Sequence, residues 1–244
     1  MLVGTRGVVL KCTKFSESSV VMQIFTEELG LQSYLINGIR KSKSRYSPAV
    51  MQPLQLLELV VYNREGAGIQ RLAEIRNSPP YQDIPFNTLK STLILFLTEV
   101  VYKSVRQGHR DPELFQFLYA MLLELDLRRA GLADYHLDFM LRLAGQLGIY
   151  PSLPDSAHLL KEGYFDLKNG DFCLAKPLHP AFAEPDVSRE LSRALLSVQE
   201  GSIFESSSRA SRKALMTLML EYYAWHIDGF GTVRSWDVLE DVFR

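Results

Sequence analysis

The chain has 244 residues, with 27 Lys and Arg against 28 Asp and Glu and 47% hydrophobic residues. That length and apolar content support one large or two ordinary domains with real cores. The net charge of −1 excludes a uniformly basic polyanion binder. The charge is unevenly spread: residues 1–80 carry ten Lys and Arg against six Asp and Glu, whereas residues 81–244 carry seventeen against twenty-two. A basic front half on an acidic back half points to a polyanion partner for one half only. Two cysteines, Cys12 and Cys173, build no disulfide framework and suit a reducing cytosol. The start of the chain lacks the apolar core of a signal peptide, and apolar runs such as Leu93–Leu97 are too short for a bilayer. The expectation is a cytoplasmic protein with no membrane partner.

The first eighty residues read as five short strands: Gly4–Lys11, Ser19–Thr26, Gly30–Asn37, Leu54–Val61 and Gly68–Ile75. Apolar and polar residues alternate in several of them, and Gly-containing turns at Gly30, Asn37-Gly38 and Gly66-Ala67-Gly68 separate them. Five strands in this length fit a small barrel of the oligonucleotide-binding (OB) kind, with an SH3-like barrel equally compatible with the periodicity. Ser78-Pro79-Pro80 then marks a junction, which divides the chain into domains at 1–80 and 81–244.

Beyond the junction the period becomes helical. Phe86, Leu89, Leu93, Phe96 and Val100 fall on one face. Asp111-Pro112-Glu113 opens a second helix, with Leu114, Phe117, Met121 and Leu125 predicted to point inward. Tyr135, Phe139, Leu143 and Leu147 mark a third, closed by Gly148 and Pro151. Residues 150–186 hold five prolines and a turn at Lys168-Asn169-Gly170-Asp171, which reads as an irregular hairpin insert. Helices resume near Val187–Gln199, Ser208–Ile227 and Ser235–Phe243. The fold class is therefore α+β multidomain: a five-stranded N-terminal barrel followed by an α-helical domain with an insert.

The sharpest local feature is the run from Gly38 to Tyr46, in which Arg40, Lys41, Lys43 and Arg45 fall within six residues. Such cations can meet phosphates and release counterions, and the flanking Tyr34 and Tyr46 could stack on bases. Taken alone, the run reads equally well as a solvated loop. Arg6, Lys11 and Arg71 could extend the groove. Arg6 and Lys11 have opposite parity in the first strand, so a regular strand would place them on opposite faces. Arg209, Arg212 and Lys213 open a helix against its dipole and read as a solvated first turn.

Enzyme signals are poor. There is no phosphate-binding glycine loop and no nucleophile elbow. Asp166-Leu167-Lys168 resembles a nuclease D-x-K only by a short match. The insert offers Cys173 and His179, with Asp155 and His158 upstream, but no C-x-x-C pair, so no zinc or other cofactor is expected. Tyr222, Tyr223, Trp225, Trp236, Met216 and Met219 at helical spacing read as core.

Three stretches together resemble the bacterial RecO family of DNA repair proteins. The first is Thr5-Arg6-Gly7-Val8-Val9-Leu10, followed by Ser16-Glu17-Ser18-Ser19 and Phe25-Thr26-Glu27-Glu28-Leu29-Gly30. The second is the Asn37–Tyr46 loop, where Gly38, Arg40, Lys43 and Ser44 fall on the family pattern and Asn37 replaces its usual lysine. The third is the helix Phe139 to Pro151 leading into the insert.

The resemblance implies an OB-fold barrel on a helical domain, with no catalysis. It implies binding of single- and double-stranded DNA, annealing of complementary strands, association with RecR, and contact with the C-terminal tail of single-strand binding protein, which helps RecA load on gapped DNA. It further implies association with the nucleoid during repair. Arg128, Arg129 and Arg142 are candidates for the tail. Many members carry a four-cysteine zinc motif in the insert, whereas only Cys173 stands at the matching stretch here, with Lys176 where a second cysteine would follow. The degenerate insert must then be held by packing. An RNA-binding OB protein and, less strongly, a metal-dependent nuclease acting through Asp166 are the alternatives.

Overall fold

The structure is a computed structural model that describes residues 1–38, 46–64, 66–153 and 156–243. The chain divides into two compact units, Met1–Leu127 and Arg128–Arg244.

In the first unit, strands β1 (Leu2–Lys14), β2 (Val20–Thr26), β3 (Gly30–Ile36), β4 (Leu56–Tyr62) and β5 (Gln70–Asn77) close into a barrel in the order β1-β2-β3-β5-β4. All pairings are antiparallel except β3 with β5, which meet in parallel at Tyr34↔Gln70 and Leu35↔Arg71. This five-stranded closure is the OB-type arrangement, so the OB reading stands over the SH3-like one. Alternate residues of β1 to β4, among them Val9, Met22, Ile24, Tyr34, Ile36, Leu57, Leu59 and Val61, form one buried cluster inside the barrel, with Leu72 and Ile75 of β5 partly buried against it.

The expected break after residue 80 coincides with the end of the barrel. The first compact unit, however, continues through α1 (Thr88–Ser104) and α2 (Pro112–Leu127). The reason lies in what these helices touch. Phe115 of α2 packs on Phe25 of β2 with ring centroids 6.0 Å apart. The connection between the helices runs along β3: Leu31 bridges Gln107, and Gly108 N–H donates to Leu31 O. Gly30 has φ +65°, and a Cβ there would lie 2.1 Å from His109 O, so only glycine admits this passage.

α1 starts at the Asn87 cap, whose side chain accepts from Leu89 and Lys90 N–H. Phe86 therefore precedes the helix and stands 84% exposed, and Leu89 is exposed in the first turn, which corrects the predicted apolar face. In α2 the buried apolar residues are Leu114, Phe115, Leu118, Leu122 and Leu125, with Phe117 and Met121 only half-buried. That stretch is apolar on nearly every side, so its period leaves the inward face undetermined.

The second unit contains α3 (Tyr135–Gln146), α4 (Ala157–Glu162), a three-stranded sheet of β6 (Tyr164–Asp166), β7 (Asp171–Cys173) and β8 (Phe182–Ala183), then α5 (Pro185–Gln199), α6 (Arg209–His226) and α7 (Ser235–Val242). Tyr222 and Tyr223 of α6 are buried and donate to Ile149 O at 2.8 Å and Met140 O at 2.6 Å, pinning α6 to the end and the middle of the α3 region. Met216 and Met219 are core, as expected, but Trp225 is half-exposed beside Lys168.

The insert is ordered around Phe165, whose ring lies 5.0 Å from Phe172 and 5.7 Å from Tyr222. Asp166 caps its turn, accepting from Lys168 N–H, Asn169 N–H and Asn169 Nδ2 at 2.8–3.2 Å, with His179 Nε2 at 3.1 Å.

Candidate nucleic-acid interface

The barrel registers define which side chains share its outer surface. Thr13 faces Val21, Val21 faces Leu35, Leu35 faces Arg71, and Arg71 faces Tyr62, which in turn faces Leu2. Paired residues in a sheet point to the same side, so these six form one continuous row around the barrel, and burial agrees. Val21 and Leu35 are half-buried, whereas Thr13, Arg71, Tyr62 and Leu2 are exposed. Lys11, paired with Gln23, stands beside this row.

Three loops border this row, the β1–β2 turn and the β3–β4 connection on one side and the β4–β5 loop, which precedes a strand parallel to β3, on the other. The β1–β2 turn holds Phe15, whose N–H donates to Ser19 O at 3.0 Å, and Ser19 Oγ donates to Asn37 Oδ1 at 2.9 Å where β3 ends. The chain then enters the basic run, and Arg40, Lys41, Lys43 and Arg45 lie outside the described residues. It re-emerges at Tyr46, half-buried against the barrel core. The β4–β5 loop follows Tyr62 and returns at Gln70. There the Gln70 side chain accepts from Arg64 N–H and donates to the Arg64 and Ala67 carbonyls, holding the loop shut. OB barrels bind strands with the β2–β3 face and with the β1–β2 and β4–β5 loops, which is the surface assembled here.

Several expected site residues stand elsewhere. Tyr34 is completely buried inside the barrel, and burial pushes its hydroxyl up to about 12. It cannot stack on a base. Gly30–Ile36 has apolar residues at both parities, so the sequence did not declare which set faces in.

Arg6 is held by Glu27, with Nη2 2.7 Å from Oε1, and lies 4.6 Å over the Tyr119 ring. It fastens α2 to the barrel. Hydrogen bonding to Glu27 raises its pKa against the opposing effect of burial, and the Arg6 hydrogen bond in turn holds Glu27 below the ordinary carboxylate range. Arg6 and Lys11 nevertheless both face outward. The β1 register slips between Val9 and Lys11, and this bulge at Leu10 resets the parity. Lys11 lies over the Tyr102 ring at 4.9 Å and remains exposed. Phe15, at 62% exposure, and Tyr62, at 48%, are exposed aromatics of the barrel that the sequence reading missed. The signal for Tyr62 was its position one residue beyond the expected end of β4.

In the second unit Arg128 lies 5.1 Å over the Tyr135 ring and donates to Ala130 O. Arg142 pairs with Asp138 at 2.9 Å and donates to Ser202 O. Arg128 and Arg142 are half-buried and Arg129 is exposed. The Arg209–Lys213 turn is not simply solvated, because Arg212 pairs with Asp134 at 2.8 Å and Lys213 with Glu240 at 2.5 Å.

The insert does not fit the zinc site that its family position would suggest. Cys173 Sγ donates to Ala175 O. Lys176 lies over the Phe182 ring and pairs with Glu184, placing a cation where a ligand would be needed. Among the described residues no three His, Cys, Asp or Glu side chains are grouped to hold a metal ion. Asp166, the residue of the nuclease alternative, is occupied as a turn cap. Burial raises its pKa, but the Asn169, Lys168 and His179 hydrogen bonds outweigh that and hold it below the ordinary range. Asp166→Ala is expected to loosen the hairpin by about 1–3 kcal/mol. Hydrogen exchange across residues 164–173 reads this, and unchanged protection there would refute the capping role.

A closed five-stranded barrel of OB type, followed by a helical unit, defines the class of architecture. The comparisons with known proteins narrow it. The family Recombination protein O N terminal matches residues 1–79, and Recombination protein O C terminal matches residues 86–235. The chain is similar to the DNA repair protein RecO of Bacteroides fragilis, 32% identical over 244 residues with both chains covered completely. It is also similar to those of Phocaeicola vulgatus and Azobacteroides pseudotrichonymphae, each 30% identical and again covering both chains completely. The chain belongs to the RecO family. No helix among the described residues is long and apolar enough to cross a membrane.

Proposed function

We propose that this chain is a DNA repair protein whose barrel binds single- and double-stranded DNA and anneals complementary strands without itself making or breaking a bond. The observation that carries the reading is the outer row of the barrel, which bears Arg71 with Lys11 beside it and is bordered by the β1–β2 turn, the end of β3 and the β4–β5 loop. Family membership and the names of its relatives support the repair role. Arg40, Lys41, Lys43 and Arg45, with Lys11 and Arg71, supply the phosphate contacts, and Tyr46 flanks them. Because phosphates carry no sequence, binding is nonspecific in sequence. Annealing follows when one strand is held on the rim and a second is drawn to the same positive potential.

On this reading RecR and the acidic tail of single-strand binding protein are the protein partners, the tail meeting the helical unit near the exposed Arg129, and RecA loading on gapped DNA is the outcome. The setting is cytoplasmic, at the nucleoid.

The test is fluorescence anisotropy of a labelled single-stranded oligonucleotide against salt. Removal of the four loop cations together (Arg40→Ala, Lys41→Ala, Lys43→Ala and Arg45→Ala) is expected to lower affinity and to flatten the slope of log K against log salt by up to about 3, at ~0.7 for each phosphate no longer neutralised. Unchanged affinity and slope would remove the loop from the site. Competition between matched DNA and RNA oligonucleotides separates this reading from an RNA-binding one, since only RNA offers a 2′-hydroxyl.

A further inference from the structure

We infer that the outer row of the barrel is a platform for unpaired bases, with Tyr62 and Phe15 as its stacking residues. The inference rests on the reading of the barrel as a single-strand site, and it assigns the role that the buried Tyr34 cannot fill.

Three observations lead to it. The first is the composition of the row. Between the exposed cations Lys11 and Arg71 lies a floor of half-buried Val21 and Leu35, continued by Tyr62 and Leu2 at 48% and 57% exposure. Phosphate gains nothing from such a floor. The flat apolar face of a base does, and the neighbouring cations suit the backbone that carries it.

The second is rigidity. Tyr62 is the last residue of β4 and is paired on both sides, with Leu2 of β1 and with Arg71 of β5. Phe15 begins a turn closed by its own N–H and that of Ser16 on Ser19 O, and Ser19 is tied to Asn37. Both rings are therefore presented by backbone already fixed before binding, so little ordering is lost when a base settles on them.

The third is extent. From Val21 to Tyr62 the row crosses three strand intervals of about 4.8 Å each, a span on the scale of a few nucleotides and within the range of OB-fold sites. A duplex keeps its base faces stacked on one another and cannot offer them to such a surface. The row therefore selects unpaired bases, and duplex is left to the loop cations.

The test is anisotropy at one salt concentration with four probes: a fifteen-residue oligo-dT, an abasic oligomer of the same length, the matched duplex, and oligo-rU. Tyr62→Ala is expected to weaken oligo-dT about 5- to 150-fold. A salt titration of the same variant is expected to keep the parent's slope, because every phosphate keeps its cation. The abasic oligomer and the duplex are expected to bind as they do to the parent. Tyr62→Phe, which keeps the ring, is expected to bind like the parent, and Phe15→Ala to weaken oligo-dT in the same selective way. A loss on oligo-rU similar to that on oligo-dT supports recognition of base faces, and the tighter of the two probes names the kind of strand. Equal losses on the abasic oligomer, or no loss on oligo-dT, would overturn the inference. If the four-cation variant still loses affinity and slope, the loop reading survives that failure. If that variant also binds unchanged, the barrel site itself falls.

Discussion

Asp126→Ala is expected to destabilise the first compact unit by about 3 kcal/mol, among the largest single-residue effects available in it. Asp126, in the last turn of α2, is almost fully buried. Its carboxylate accepts the N–H groups of Gln82, Asp83 and Ile84 at 2.7–2.9 Å, satisfying three successive backbone donors where the chain leaves the barrel. Its backbone carbonyl accepts from Nζ of Lys90, which is fully buried and also 2.8 Å from Asp83 Oδ2. Removing the carboxylate strips three donors of their acceptor and takes a negative charge from beside a buried ammonium. Breaking a buried charged network from one side costs about 3–5 kcal/mol, with the lower figure apt here because the Gln82–Asp83 turn reaches solvent.

Asp126→Asn keeps one carbonyl acceptor and should fall between. Both tryptophans lie in the second unit, so their fluorescence does not report this loss. Hydrogen exchange across residues 81–104 does. Protection within about 0.5 kcal/mol of the parent would show that water replaces the carboxylate, and the clasp would lose its assigned weight.

The Asp126 clasp also shows what the sequence could and could not declare. Strand positions were legible because alternation and glycine turns are local signals, and each of the five expected strands lies within about two or three residues of its observed bounds. The helix start at Asp111 was legible for the same reason, since caps are local, whereas the Asn87 cap was missed and Phe86 was placed on the helix face. The attachment of α1 and α2 to the barrel was not. It depends on Asp126 reaching back to residues 82–84, on Phe115 meeting Phe25, and on Gly30 giving passage to His109, all between residues far apart in the chain.

The site was half legible for a related reason. A basic run is visible as composition, and Lys11 and Arg71 do lie on the outer surface. Which aromatic faces outward depends on strand parity, and β3 is apolar at both parities, so Tyr34 and Leu35 exchange roles with a slip of one residue. The bulge at Leu10 exchanges the parity of β1 midway, which no period-two reading anticipates. The row from Thr13 to Tyr62 exists only once five registers are known together.

Acid is expected to destabilise the second unit through His136, by about 2 kcal/mol between pH 7 and pH 5. His136 is buried in α3, its ring 5.8 Å from Trp236 and 6.1 Å from Phe243. Burial pushes its pKa down to about 3, with Asp134 opposing that shift and Arg212 reinforcing it. The unfolded chain binds a proton at this residue near pH 6.5, while the folded chain does not until about pH 3. In that interval the unfolded state holds more protons, so stability rises with pH and falls as acid is added, by about 1.4 kcal/mol for each pH unit below 6.5.

The window separates His136 from the carboxylates. Burial pushes Asp134 up, but hydrogen bonds from Arg212 and Ser206 outweigh it and leave the pKa below the ordinary value. Its stabilising contribution is therefore present above about pH 4 and is lost only below that. Urea unfolding followed by Trp236 and Trp225 fluorescence, at pH 7, 6 and 5, measures the slope for the parent and for His136→Phe. The phenyl ring cannot titrate, so the variant should lose the slope whatever its absolute stability. A variant that still weakens by about 2 kcal/mol over the same interval would place the acid sensitivity in other groups and leave the His136 ring a purely apolar packing element.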